Sequence, residues 1–447
     1  MIFKQLVDDD LGCASYLVGC EDAGEAVVVD PAYRIEPYLA AAERHCVRLV
    51  RVLETHTHAD HVSGHGRLAL EHRLPISIHS AAAAAYEHDA LADGDEIRVG
   101  NVVLRTVHTP GHRPEHCAFT VADETRAPEP WLVLTGDTLF IGDAARPDLA
   151  VEPREGAEAL FDSLRRLAEL GDGVEVFPGH VAGSLCGAGM SSKASSTIGF
   201  ERRFNRALTV PALADFLEFS LEQPTRPPNM ERIVELNRGP FLAGPPRLEL
   251  LEAPPPGAVV LDVRRPEEFA AGHLRGAMNV PVLGGSFATR SAFVLPLDRT
   301  VAVQAASEAE AECAADGLRS VAFLDVAGRL EPGPAEERIE PVELDELGAL
   351  LAADEIALID VREKEEHDRA YIPGSRHIPY RLVRQAAENG LTGDRPVVTI
   401  CESGARAAVA ASVLAAAGIP ARPVLHGGVA DWRSRGGETV AFRRCGG

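Results

Sequence analysis

Short apolar runs recur along the first half of the chain, and most stop at a turn carrying a chemically capable side chain. Residues 26–30 run apolar into Asp30-Pro31, and residues 47–53 run straight into Glu54-Thr55-His56. Residues 102–107, 131–134 and 174–177 repeat the form, ahead of His112, Asp137 and His180. Brief, unbroken apolar runs bounded by turn residues predict buried strands rather than half-solvated ones. Residues 156–170 instead space their apolar positions by three and four, which predicts a helix.

The pattern changes after about residue 222. Pro224, Pro227, Pro228, Pro240, Pro245, Pro246 and Pro254 to Pro256 crowd one stretch. Such density disfavours long helices and central strands, and it predicts a linker over 223–250 wrapped on a surface. Two similar segments follow. Val259-Val260-Leu261-Asp262-Val263-Arg264 matches Ala357-Leu358-Ile359-Asp360-Val361-Arg362, and each leads through acidic residues to a Gly and then a Pro. Strand and helix signals alternate in both copies, which predicts two α/β units with parallel sheets. The domains expected are therefore 1–222, 251–335 and 340–447.

The 447 residues suit several domains, and 46% are hydrophobic, enough for ordinary cores. The net charge is −23, from 67 acidic against 44 basic residues, so nucleic acid is excluded as a partner by long-range repulsion. The first residues lack the apolar core of a signal peptide and no apolar run suits a membrane span, so a cytoplasmic protein is expected. The eight cysteines are scattered, and they read as free thiols in a reducing compartment. Cys13, Cys20, Cys46 and Cys117 read as structural.

Histidine is skewed: eleven of sixteen lie between His45 and His116. Thr55-His56-Thr57-His58-Ala59-Asp60-His61 packs four potential metal ligands into one turn. His112, Asp137 and His180 each follow a predicted strand, where turn ends gather at one sheet edge. Imidazole and carboxylate together suit zinc or non-haem iron. This ordered set resembles the metallo-β-lactamase superfamily, an αββα sandwich. Within that superfamily, hydrolases such as glyoxalase II use all seven positions for two metals, with Asp137 bridging. The resemblance to persulfide dioxygenases implies a single non-haem iron(II) per chain on His56, His112 and Asp137. His58, Asp60, His61 and His180 would then orient ligands and waters. The run from Asp137 to Leu149, with Arg146-Pro147-Asp148, resembles the dioxygenase version, although Ala145 stands where Gly is common. Arg146 is expected either to bind a substrate carboxylate or to pair with Asp148. Cys186, in the Gly-rich segment after His180, is a candidate to contact or carry substrate sulfur.

The second chemistry lies near the end. The predicted strand 397–400 delivers Cys401-Glu402-Ser403-Gly404-Ala405-Arg406, and a helix is expected over 407–417. A thiol ringed by backbone amides and aimed along a helix N-terminus is placed for nucleophilic sulfur chemistry. Gly404 permits the tight loop, and Arg406 adds a positive charge. The loop resembles that of rhodaneses, with Glu402, Ser403, Gly404 and Ala405 cradling the sulfur donor and Ala370-Tyr371 replacing the usual Gly-His. The middle copy has no cysteine after its strand, at Gln304-Ala305-Ala306, and Cys313 falls mid-helix; an inactive domain is expected.

Together the resemblances imply an α/β multidomain enzyme: a metallo-β-lactamase sandwich followed by two rhodanese-like domains. It would oxidise a small-molecule persulfide with O2 to sulfite and thiol, and pass sulfane sulfur through Cys401 to give thiosulfate, in sulfide detoxification. The alternative is a dizinc thioester hydrolase fused to a sulfurtransferase. A homo-oligomer is expected.

Overall fold

The computed structural model describes residues 1–181, 191, 193–221, 225–391 and 395–442. The chain divides into two compact units, Met1–Pro246 with Arg319–Ala322, and Arg247–Leu318 with Phe323–Gly447. No helix among the described residues is long and apolar enough to cross a membrane.

Two six-stranded sheets form the first unit. One runs Ile2–Val7, Ala14–Cys20, Glu25–Val29, Arg48–Leu53, Ile76–His79 and Asp89–Leu91, in that spatial order. The other runs Ser196–Thr197, Glu175–Pro178, Leu132–Gly136, Cys117–Asp123, Val102–His108 and Glu96–Val99. Alternate residues on the strands face opposite ways. Tyr16, Val18, Val27, Val29 and Leu53 meet Leu104, Phe119, Val121 and Leu134 in one core. Leu17, Val28 and Val52 turn the other way and pack with Tyr38 and Leu68, on helices Glu36–Arg44 and His65–His72. Val133 and Val176 likewise pack against Leu160, Leu164 and Phe216, from helices Pro153–Ala168 and Leu213–Ser220. This is an αββα sandwich. Both faces of the central strands are covered, which is why their sequences read as unbroken apolar runs. The helix expected over 156–170 begins earlier, at Pro153, because proline's fixed φ and missing N–H suit a first turn.

The Pro-rich stretch contains a further helix, Met230–Arg238, with Met230, Ile233 and Asn237 buried. Pro227 and Pro228 precede it and Gly239-Pro240 follows, so the prolines punctuate a helix rather than prevent one. The helix belongs to the first unit.

The second unit holds two four-stranded parallel sheets of identical order. They are Met278–Asn279, Val259–Asp262, Val301–Gln304, Val326–Leu330, and Arg376–His377, Ala357–Asp360, Val397–Ile400, Ala421–Pro423. Asp262 pairs with Gln304 as Asp360 pairs with Ile400, so Ala305 occupies the place of Cys401. The substitution at Ala370-Tyr371 has a physical account. In the middle copy, Phe269 and His273 stack at 3.8 Å; at the corresponding positions His367 and Tyr371 stack at 4.4 Å. The pair of rings persists with the imidazole moved to the other member.

Candidate functional site

Strand ends gather the metal-type residues. The amide of Cys117 donates to the Thr55 carbonyl at 2.8 Å, and that of Ala14 to the Gly179 carbonyl at 2.7 Å, tying the two sheets' ends together. Ligand atoms of His56, His112 and Asp137, all buried, lie within 4.8 Å of one another. Their hydrogen bonds decide which atoms remain for a metal. Thr55 Oγ1 donates to Asp30 at 2.8 Å and therefore accepts from His56 Nδ1 at 2.9 Å. The Arg146 carbonyl accepts from His112 Nδ1 at 2.9 Å. Each imidazole thus keeps its Nε2 lone pair for the centre. His56 Nε2 and Asp137 Oδ2 are buried and have no hydrogen-bond partner among the described residues. Such polar atoms are costly to bury unless something binds there, so the donor set fits a cation. Burial, with the neighbouring imidazoles, holds His56 well below the ordinary imidazole range, and burial lowers His112 too; both favour the neutral, ligating form. Burial opposes ionisation of Asp137, but the adjacent His180 outweighs it and keeps the carboxylate charged.

His58, Asp60 and His61 form a second group of the same compactness. His61 Nδ1 lies 3.2 Å from Asp60 Oδ1, and His58 Nε2 lies 3.1 Å from Glu54 Oε2. Both ring nitrogens of His180 are engaged, Nδ1 by Asp137 at 2.8 Å and Nε2 by Asp60 at 2.7 Å. Burial pulls its pKa down, yet the two carboxylates prevail and raise it to about 10.

Several contributors carry no motif of their own. His116 Nε2 accepts the Asp137 amide at 2.8 Å, while its Nδ1 meets Thr109 and Thr138, each at 2.9 Å. Burial and His112 depress His116 to about 3, so it is a neutral brace. Glu54, two residues before His56, accepts from His65 Nδ1 at 2.9 Å and from Ser63 at 2.6 Å. Its position straight after a strand was the one available signal. Arg146 pairs with Asp148 through two bonds of 2.7 and 2.9 Å. Cys186 lies outside the described residues.

Cys401 ends its strand fully buried, and the Gly404 amide donates to its sulfur at 3.2 Å. Gly404 starts the helix Ala405–Ala416 with φ +88° and no side-chain cap. Arg362 binds Asp360 at 2.7 Å and Glu402 at 3.1 Å, and Arg406 is paired with Glu366. The middle copy treats the same place differently. Its helix Glu308–Ser320 begins one residue sooner after the strand. Ser307 Oγ accepts the Glu310 amide at 3.2 Å, and Glu310 accepts the Ala306 amide at 3.1 Å. Where the Gly404 amide turns to the Cys401 sulfur, the middle copy has an ordinary capped helix start.

Comparison with known proteins agrees with this layout. Residues 8–180 match the metallo-beta-lactamase superfamily, and residues 248–326 and 343–435 match the rhodanese-like domain. A hydroxyacylglutathione hydrolase of Nitrosococcus oceani is 31% identical over 37% of this chain, which spans 61% of that protein's length. The mitochondrial persulfide dioxygenase of Homo sapiens is 30% identical over 40% of this chain and 68% of its own. A metallo-beta-lactamase crystal structure from Staphylococcus aureus, 29% identical, superposes with a TM-score of 0.69 over 74% of this chain and 99% of that one. The chain belongs to the metallo-β-lactamase superfamily as a relative of the persulfide dioxygenases, and tandem rhodanese-like domains follow its αββα sandwich.

Proposed function

We propose that the first domain is an iron(II) persulfide dioxygenase and that the last transfers sulfane sulfur through Cys401. The donor set of His56, His112 and Asp137 carries this reading, because two imidazoles and one carboxylate leave three positions of an octahedral ion open. Bound iron would supply the redox chemistry by which O2 oxidises the terminal sulfur. The net reaction is R–S–SH + O2 + H2O → R–SH + SO3²⁻ + 2H⁺. Thr55, the Arg146 carbonyl and His116 hold the ligands in place, while His58, Asp60, His61 and His180 supply charge and hydrogen bonds around them. Cys186 is the residue we assign to the substrate side, since Arg146 pairs with Asp148 within its own loop.

In the last domain, the Cys401 thiolate attacks the outer sulfur of a persulfide, and the thiol R–SH leaves. Sulfite then takes that sulfur from the Cys401 persulfide, giving thiosulfate and regenerating the thiolate. The Gly404 amide faces the sulfur that carries the charge, and Glu402, Ser403 and Ala405 complete the loop around it. Substrates are small sulfur species, and the assembly is a homo-oligomer. Elemental analysis with oxygen uptake on a persulfide panel tests the first reaction.

A second reading, a dizinc thioester hydrolase, draws on the His58–Asp60–His61 group and on the hydrolase relative. Two zincs per chain without oxygen uptake would establish it.

A further inference from the structure

We infer that Asn237, from the Pro-rich stretch beyond the sandwich strands, is a positioning residue of the metal centre; this rests on the proposed metal site. Asn237 lies on helix Met230–Arg238 and is 3% exposed. Its Nδ2 donates to the carbonyls of His58 at 2.9 Å and His61 at 2.8 Å, and its Oδ1 accepts the Ser63 amide at 2.8 Å. Both donors and the acceptor of one carboxamide are therefore spent on the six residues that contain His58, Asp60 and His61.

The substitutions nearest in size cannot do this. Aspartate brings two acceptors to two carbonyls, and alanine leaves two carbonyls and an amide buried without partners. The helix is held against the sandwich independently of the carboxamide. Ile233 is buried, and the following Phe241 packs so closely on Gly66 that a Cβ there would lie 2.9 Å from its ring.

The clamped turn reaches the proposed ligand by a continuous chain. His61 meets Asp60 at 3.2 Å, Asp60 meets His180 at 2.7 Å, and His180 meets Asp137 at 2.8 Å. A turn that shifts loosens each link in order and ends at a metal-binding carboxylate. Hydrogen-bond partners of metal ligands change affinity by about ten- to a hundredfold when removed.

The test compares full-length parent, Asn237→Ala, Asn237→Asp, Ile233→Ala and His56→Ala after iron loading. It records iron release to a chelator, the absorption spectrum of cobalt(II)-substituted protein, and thermal unfolding. Both Asn237 variants should release iron about ten- to a hundredfold faster and shift the cobalt spectrum. Ile233→Ala should melt earlier but release iron at the parent's rate. Parent-like release from either folded Asn237 variant, or equal acceleration by Ile233→Ala, would overturn the inference. If parent and His56→Ala hold iron alike, the metal site itself falls instead.

Discussion

Arg406 and Glu366 meet through two parallel hydrogen bonds of 2.6 and 2.7 Å, so the cation at the end of the Cys401 loop is neutralised by a carboxylate from another helix. Burial resists the charge on each, but the pairing prevails: Arg406 is raised and Glu366 is lowered from its ordinary value. Glu366→Gln keeps the shape and removes the negative charge. The apparent KM for sulfite should then fall, by about two- to fivefold, matching the ~0.4–1 kcal/mol of a partly exposed ion pair. Steady-state thiosulfate formation measures it; a rise in KM would mean that Glu366 presents Arg406 to the substrate instead.

Replacing His56, His112 or Asp137 by Ala should abolish iron binding and oxygen uptake together, since a three-residue set has no spare ligand. Parent protein should carry about one iron per chain by elemental analysis. Full iron retention by any one Ala variant would remove that residue from the set.

Cys401→Ser should end sulfur transfer while sulfite production from a persulfide continues. Cys186→Ser should do the reverse in part, lowering kcat/KM for oxygen uptake by at least about tenfold, or 1.4 kcal/mol, with iron retained. Oxygen-electrode and thiosulfate assays on the same preparations separate the two. Parent-like kinetics for Cys186→Ser would return that thiol to a packing role.

Gly404→Ala should be more damaging than its one methyl suggests. A Cβ there would stand 1.9 Å from the Leu425 carbonyl oxygen, at a φ of +88°. The left-handed backbone alone costs about 1–2 kcal/mol, and the clash forces the loop to move. Sulfur transfer should drop by at least about tenfold, and the last domain should unfold at lower denaturant. A denaturant titration with the transfer assay would check both.

Much of the layout was legible because it is local. The strand expected at 397–400 is found as Val397–Ile400, and the turn of His56 to His61 carries its chemistry in consecutive residues. Asn237 was not legible, because its partners His58 and His61 are more than 170 residues away and a single asparagine in a Pro-rich stretch has no period. His116 and Glu54 were visible as residues, but their roles come from sheet packing that brings Asp137 and His65 to them. The substitution of Tyr371 made sense only once its stacking partner was seen to have exchanged identity with it.

The capping arrangement of Ser307 and Glu310 fixes what the middle copy would need in order to resemble the Cys401 loop. Putting a thiol at Ala305 alone would not reproduce the surroundings of Cys401. The new sulfur would face a helix start whose first donors are already taken, on a loop one residue too short, beside a fixed carboxylate. Matching the last domain at this place would take changes to the cap, the loop length and the local charge together, not one substitution.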